Sequence, residues 1–285
     1  MKILVTGAKG QLGSEIRYLS GVQSHEFDFI DFEELDLTKS DLIVPFLSAK
    51  QPDFIINCAA YTAVDNAEDE LDLAVQINKI APAEIAKYCK ESGCRLIHIS
   101  TDYVFDGNFS RPINEGDSPN PKSVYGQSKL DGEKAVQQLL SDAYIIRTSW
   151  VYSEFGNNFV KTMLRLGSEK EEISVVADQY GTPTWARDLA DAILQIVNQT
   201  TTGNDVPGIY HYSNEGEISW CDFAVEIIKQ TKLKCKVNPI TTLEYPTKAE
   251  RPKNSVLSKA KISDTFLINI PSWDVSLNKF LSNIK

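Results

Sequence analysis

The sequence contains no apolar run of about 18 residues, which excludes a membrane-spanning helix and gives no reason to expect a membrane partner. The apolar stretch before Gly7 is too short for a secretory core and already reads as structure. Histidine is scarce. His25, His98 and His211 are scattered over strand-like runs, so each reads as a packing residue and no histidine-based metal centre is expected. Five cysteines, Cys58, Cys89, Cys94, Cys221 and Cys235, form no Cys-x-x-Cys pair, which suggests reduced thiols and a cytoplasmic setting. Basic residues are in deficit, 29 against 39 acidic, for a net charge of −10. That balance argues against a phosphate-backbone surface, so no nucleic acid partner is expected. Internal repeats, low-complexity tracts and long linkers are missing as well.

The 285 residues are 42% hydrophobic and 24% charged, enough for a large core in about two units. The first half alternates β-branched runs with amphipathic segments. Strands are expected at Ile3–Val5, His25–Asp31, Phe54–Ile56, Arg95–Ser100 and Tyr144–Thr148. Helices are expected near Leu12–Leu19, Lys39–Leu47, Ala67–Ser92 (bent or broken at Pro82) and Val124–Leu140. Nearly continuous apolar strands alternating with helices predict an α/β fold, a Rossmann doubly wound parallel sheet. The second half is less regular. Helices are expected over Asn158–Leu166, Arg187–Val197 and Ser219–Lys229 and after Ser272, with strands at Ile173–Val176 and Gly208–Tyr212. Pro239, Pro246 and Pro252 mark a loop-rich stretch. The expected organisation is a first unit over residues 1–152, with segments returning at about 172–212, and a smaller C-terminal lobe drawn mainly from 153–285.

Thr6-Gly7-Ala8-Lys9-Gly10-Gln11-Leu12-Gly13 lies between a strand and a helix. Its glycines Gly7, Gly10 and Gly13 allow a tight turn, close approach of a pyrophosphate and close helix–strand packing. The free N–H groups of the helix start then face the phosphates. Asp31, 18 residues after Gly13, is placed to take an adenosine ribose hydroxyl.

Tyr125-Gly126-Gln127-Ser128-Lys129 sets a phenol and an ammonium one turn apart on a helix face. A phenol with an ordinary pKa near 10 needs a nearby cation to exchange protons at neutral pH, so Lys129 is expected to lower that of Tyr125. Ser100-Thr101, at the end of a strand, supplies a hydroxyl.

These blocks resemble the extended short-chain dehydrogenase/reductases and, within them, the dTDP-4-dehydrorhamnose reductase family. Further similarity lies in Asn57–Asp65, Ser100–Gly107, Arg147–Tyr152, Gly156–Met163, Asp178–Thr184 and Arg251–Ser255. The resemblance implies Thr101, Tyr125 and Lys129 as the catalytic group. It implies dinucleotide contacts at Gly10, Gln11, Leu12, Asp31, Asp36, Leu37, Ala60, Tyr61 and Thr62, with Tyr125 and Lys129 near the nicotinamide. Sugar contacts would come from Thr101, Asp102 and Trp150. The implied reaction passes a hydride from NADPH or NADH to C4 of a dTDP-bound keto sugar, with Tyr125 protonating the oxyanion. Some members use Mg2+ held by acids at a homodimer contact. Those positions fall on Glu15, Arg187 and Asp274, and an arginine among them repels the ion, leaving Glu15 as the metal candidate or a solvated helix acid.

Two other classes fit part of the pattern. A sugar-nucleotide 4-epimerase would share the scaffold, whereas a dehydratase needs an Asp-Glu pair after the threonine, where this chain has Asp102-Tyr103. A non-catalytic regulatory subunit related to that of methionine adenosyltransferase would not need the intact catalytic group. The charge is also uneven. Residues 1–150 carry 14 basic and 23 acidic side chains, whereas Lys229–Lys261 carries nine basic and two acidic. Arg251 in that stretch is therefore a candidate to face the substrate diphosphate.

Overall fold

A computed structural model describes residues 1–284. Its centre is a six-stranded parallel sheet built from β1 (Lys2–Thr6), β2 (Glu26–Phe29), β3 (Phe54–Asn57), β4 (Arg95–Thr101), β5 (Tyr144–Thr148) and the strand Gly208–His211. From the edge formed by β2 the order runs β2, β1, β3, β4, β5, Gly208–His211. The order reverses between β1 and β3, and open α/β sheets bind ligands outside the strand C-termini at such a switch point.

The helices are α1 (Gln11–Ser20), α2 (Ser40–Lys50), α3 (Leu71–Val75), α4 (Ala81–Ser92), α5 (Val124–Leu139), α6 (Phe159–Glu169), α7 (Ala186–Thr201), α8 (Trp220–Gln230), α9 (Ala260–Phe266) and α10 (Trp273–Asn283). Alternation along β1 explains its unbroken apolar run. Ile3 and Val5 join a core under α1, α7 and α9 through Ile16, Ile193 and Phe266, while Leu4 joins one under α2, α4 and α5 through Leu47, Ile85 and Val136. A third core holds Tyr152, Met163, Val175, Phe223, Ile227 and Phe280 from the C-terminal half. Ser219 caps α8 by accepting the Asp222 N–H at 3.0 Å, as its spacing predicts.

Three local expectations are corrected. The long helix expected over Ala67–Ser92 is in pieces: Pro82 sits in the first turn of α4, and the break just before it is a π-turn at Gln76–Ile80. Pro82 has no N–H to give the carbonyl one turn back, so the winding there is free to widen. The stretch around Pro239 contains a strand, Lys236–Ile240, paired in parallel with Glu172–Val176. A two-stranded edge tolerates a proline whose missing donor faces outward. Helix α9 was not expected, because its seven residues are too few to show a clear period.

Candidate active site

A cavity of about 790 Å3 opens at the switch point, lined from both halves of the chain. The phosphate loop forms one end. Gly7 holds φ at +64°, and a side chain there would lie 2.8 Å from the backbone N of Ala59. A Cβ on Gly13 would meet the Gly7 carbonyl at 2.3 Å, so α1 can start this close to β1 only without one. Gly7, Gly10, Gln11 and Leu12 line the cavity, while Gly13 packs behind it. This bare turn at a helix N-terminus fits a dinucleotide pyrophosphate.

Asp31 lines the same end and accepts the Lys9 backbone N–H at 2.7 Å, closing the loop on itself. The Lys9 ammonium turns to Glu33 at 2.5 Å, not into the cavity. Asp36, Leu37, Ala60 and Thr62 are lining residues; Tyr61 is not, and its hydroxyl donates to Glu70. Its backbone is pinned instead. Asn78, in the π-turn, accepts the Tyr61 N–H at 2.9 Å and donates to the Tyr61 carbonyl at 3.0 Å and the Ser128 hydroxyl at 3.0 Å. The irregular winding thus aims a side chain that ties the cofactor loop to α5, a residue no spacing rule singled out.

Thr101 ends β4, and its hydroxyl caps the following turn by accepting the Tyr103 N–H at 3.2 Å. Tyr125 lies in the first turn of α5, held where Ser123 accepts the Gly126 N–H at 3.1 Å. Lys129 follows one turn on, on the same face of α5. All three line the cavity. The expected electrostatics are corrected. Burial pushes the Tyr125 phenol up to about 12, with Thr101 opposing, and the Lys129 ammonium donates to the Ile99 carbonyl at 2.6 Å. Burial also lowers Lys129 to about 8, against the pull of Glu133. Desolvation is the largest influence on both groups.

Asp102 is buried beside Thr101 and lines the same cavity. Thr101 donates to its Oδ1 at 3.0 Å, while Oδ2 is buried without a partner, and burial pushes the carboxyl up to about 6 against the Thr101 and Ser255 hydroxyls. Asp102 is one of the lining residues, and a buried carboxylate with an unpaired oxygen is a polar group that a ligand hydroxyl would satisfy. Trp150 adopts φ +49° and stacks on Trp220 with centroids 3.4 Å apart and planes at 9°. Trp220, at the start of α8, is a second residue the sequence did not point to.

Arg251 does not line this cavity. Its guanidinium forms a two-pronged pair with Asp65, at 2.9 and 2.6 Å. Lys248 pairs with Asp69 and Lys259 with Glu215, acids far away in the chain, while Lys229 pairs with its helix neighbour Glu226.

Glu15 is no solvated acid. It is 0% exposed, with Ser153 donating to Oε1 at 2.6 Å and Arg187 Nε to Oε2 at 2.8 Å. Asp274 is held by Ser272 at another helix start. With both Glu15 oxygens engaged and a guanidinium against them, these residues do not fit a magnesium ion, and no cluster of three potential metal ligands occurs among the described residues. The three histidines pack as expected: His98 against Asn57, His211 against the Ile113 carbonyl and His25 against Asn198. All five cysteines are free thiols, and no helix among the described residues is long and apolar enough to cross a membrane.

A phosphate-binding turn, a hydroxyl–phenol–ammonium group and a polar second wall, gathered at the switch point of a doubly wound sheet, define a dinucleotide-dependent oxidoreductase of the extended short-chain dehydrogenase/reductase class. The chain belongs to the family described as RmlD substrate binding domain, whose model matches residues 1–285. It is 42% identical over 284 residues to a dTDP-4-dehydrorhamnose reductase of Aggregatibacter actinomycetemcomitans, covering 97% of each chain. The crystal structure of a dTDP-4-dehydrorhamnose reductase from Clostridium acetobutylicum superposes with a TM-score of 0.95 at 43% identity, covering 100% of this chain and 99% of that one. One from Bacillus anthracis, in complex with NADP, gives 0.94 at 39% identity, covering 99% of each.

Proposed function

We propose that this chain reduces the C4 keto group of dTDP-4-dehydro-L-rhamnose to give dTDP-L-rhamnose, supplying a deoxysugar for cell-surface polysaccharide from the cytoplasm. The observation that carries the reading is a single cavity that joins the phosphate turn to Thr101, Tyr125 and Lys129 and then to Asp102 and Trp150. It is supported by relatives of that name over nearly the full chain.

The bare turn at Gly7–Gly13 holds the pyrophosphate of NADPH or NADH, and Asp31, Asp36 and Leu37 border the adenosine end. The complex of the Bacillus anthracis relative favours NADPH. The reduced nicotinamide supplies the hydride when bound. Tyr125 gives its proton to the oxygen at C4, and a phenol held up by burial is a donor that keeps its proton until that oxygen becomes basic. The Thr101 hydroxyl turns its proton from Asp102 Oδ1 to the same oxygen as charge develops there. Lys129 holds the nicotinamide ribose, Asp102 accepts a sugar hydroxyl at its free Oδ2, and Trp150 forms the floor under the sugar.

The test is oxidation of NADPH in the presence of dTDP-4-dehydro-L-rhamnose, for the native enzyme beside Tyr125→Phe. The variant should lose about 10²–10⁴-fold in kcat, the range for a missing general acid. No turnover by the native enzyme, or equal turnover by both, refutes the reading.

A further inference from the structure

The helix face that carries Tyr125 and Lys129 carries one more ionisable group a turn further on. Glu133 is 1% exposed, and Arg147 grips its carboxylate with Nε at 2.9 Å and Nη2 at 2.6 Å. The Ser100 hydroxyl donates to the same carboxylate. Ser100 adjoins Thr101 at the end of β4, and Arg147 adjoins Thr148 at the end of β5. One carboxylate therefore ties together the three elements whose ends converge beneath the cavity.

Lys129, 2% exposed, gives its hydrogen bond to a neutral carbonyl, that of Ile99. A buried ammonium needs a compensating negative charge nearby. The ionisable groups facing it are Cys58 on the loop after β3, His98 on β4, Tyr125 and Glu133 on its own helix, and Arg147 on β5. Burial keeps the Cys58 thiol and the Tyr125 phenol protonated and the His98 ring uncharged. Arg147 is repulsive, but its charge is locked in the fork on Glu133. That leaves Glu133 as the one anion in the set.

We propose that Glu133 is a positioning residue for the reductase, keeping Lys129 charged and aimed at the cavity while Ser100 and Arg147 fix its carboxylate. The proposal rests on the reading of Lys129 as the cofactor-holding group. Burial already brings Lys129 down to about 8, and Glu133 is the first of the groups that resist this. Removing the negative charge must therefore let it fall further.

Glu133→Gln keeps the shape and removes the charge. The alkaline limb of kcat/KM should move down by about one pH unit, so that activity at about pH 8 relative to about pH 6.5 falls roughly fivefold. The dissociation constant of NADPH, read by its fluorescence, should show the same shift with no keto sugar present. Glu133→Asp, which retains the charge, should bring the limb back. Arg147 left unpaired could unfold the single variant. Glu133→Gln with Arg147→Met removes both buried charges, and its limb must also move down. A limb that stays in place while only the melting temperature drops assigns the pair to packing and overturns the proposal. If the native enzyme fails to turn over the keto sugar, the substrate reading fails, while the NADPH titration still decides the role of Glu133.

Discussion

The pair beneath α1 makes a quantitative prediction about stability and pH. Glu15 and Glu154 share a single guanidinium, that of Arg187, at 2.8 and 3.2 Å. Burial, reinforced by Glu154, raises the Glu15 carboxyl to about 7. Glu154, despite its own burial, is held below the usual range by hydrogen bonds from Glu15, Asn283 and Trp185. One proton between two carboxylates accounts for both directions. In the unfolded chain Glu15 ionises near its ordinary 4.5, so between that value and 7 the native state binds more protons. Stability from this group is complete below about pH 4.5 and is lost as pH rises through about 7. At 1.36 kcal/mol per unit the loss is about 3 kcal/mol. Glutamine mimics the protonated acid and supplies an N–H toward Glu154. Glu15→Gln should therefore match the native enzyme near pH 4.5 and exceed its unfolding free energy by about 3 kcal/mol at pH 8. Guanidinium unfolding followed by tryptophan fluorescence across that range measures the difference. Adding Mg2+ at pH 8 should move neither curve. Parallel curves for the two proteins, or a variant less stable at pH 8, would refute the shared-proton arrangement.

Trp220→Ala removes the ring behind Trp150, and a stack worth about 0.5–1.5 kcal/mol predicts a roughly 3–10-fold rise in KM for the sugar nucleotide. The KM for NADPH should stay unchanged, and Trp220→Phe should recover part of the loss in steady-state kinetics. Gly7→Ala forces a methyl group against Ala59 at a left-handed φ. A strain of about 1–3 kcal/mol predicts NADPH binding weakened about 10–100-fold in fluorescence titration, and undiminished affinity would count against this turn as the phosphate site.

What the sequence alone determined is what local chemistry dictates. Apolar β-branched runs and amphipathic periods specify strands and helices. The glycines at 7, 10 and 13 specify a turn that few other residues can make, and a four-residue spacing puts Tyr125 and Lys129 on one face. Each of these depends on neighbours within a turn or two, so the doubly wound sheet, the phosphate turn and the Tyr125–Lys129 face were legible, while Asp36, Leu37, Ala60, Thr62, Asp102 and Trp150 came only with the family resemblance. Electrostatic outcomes were not. Glu15 reads as a surface acid, yet it pairs with a residue 172 positions away in a dry site. Arg251 reads as a diphosphate ligand, yet Asp65, 186 positions away, holds it. Lys129 was expected to acidify Tyr125, whereas the folded interior desolvates both. Only the tertiary structure decided these points, and also brought Asn78, Glu133, Arg147 and Trp220 to the site. A charge's energy depends on what surrounds it in space, and sequence order does not contain that information.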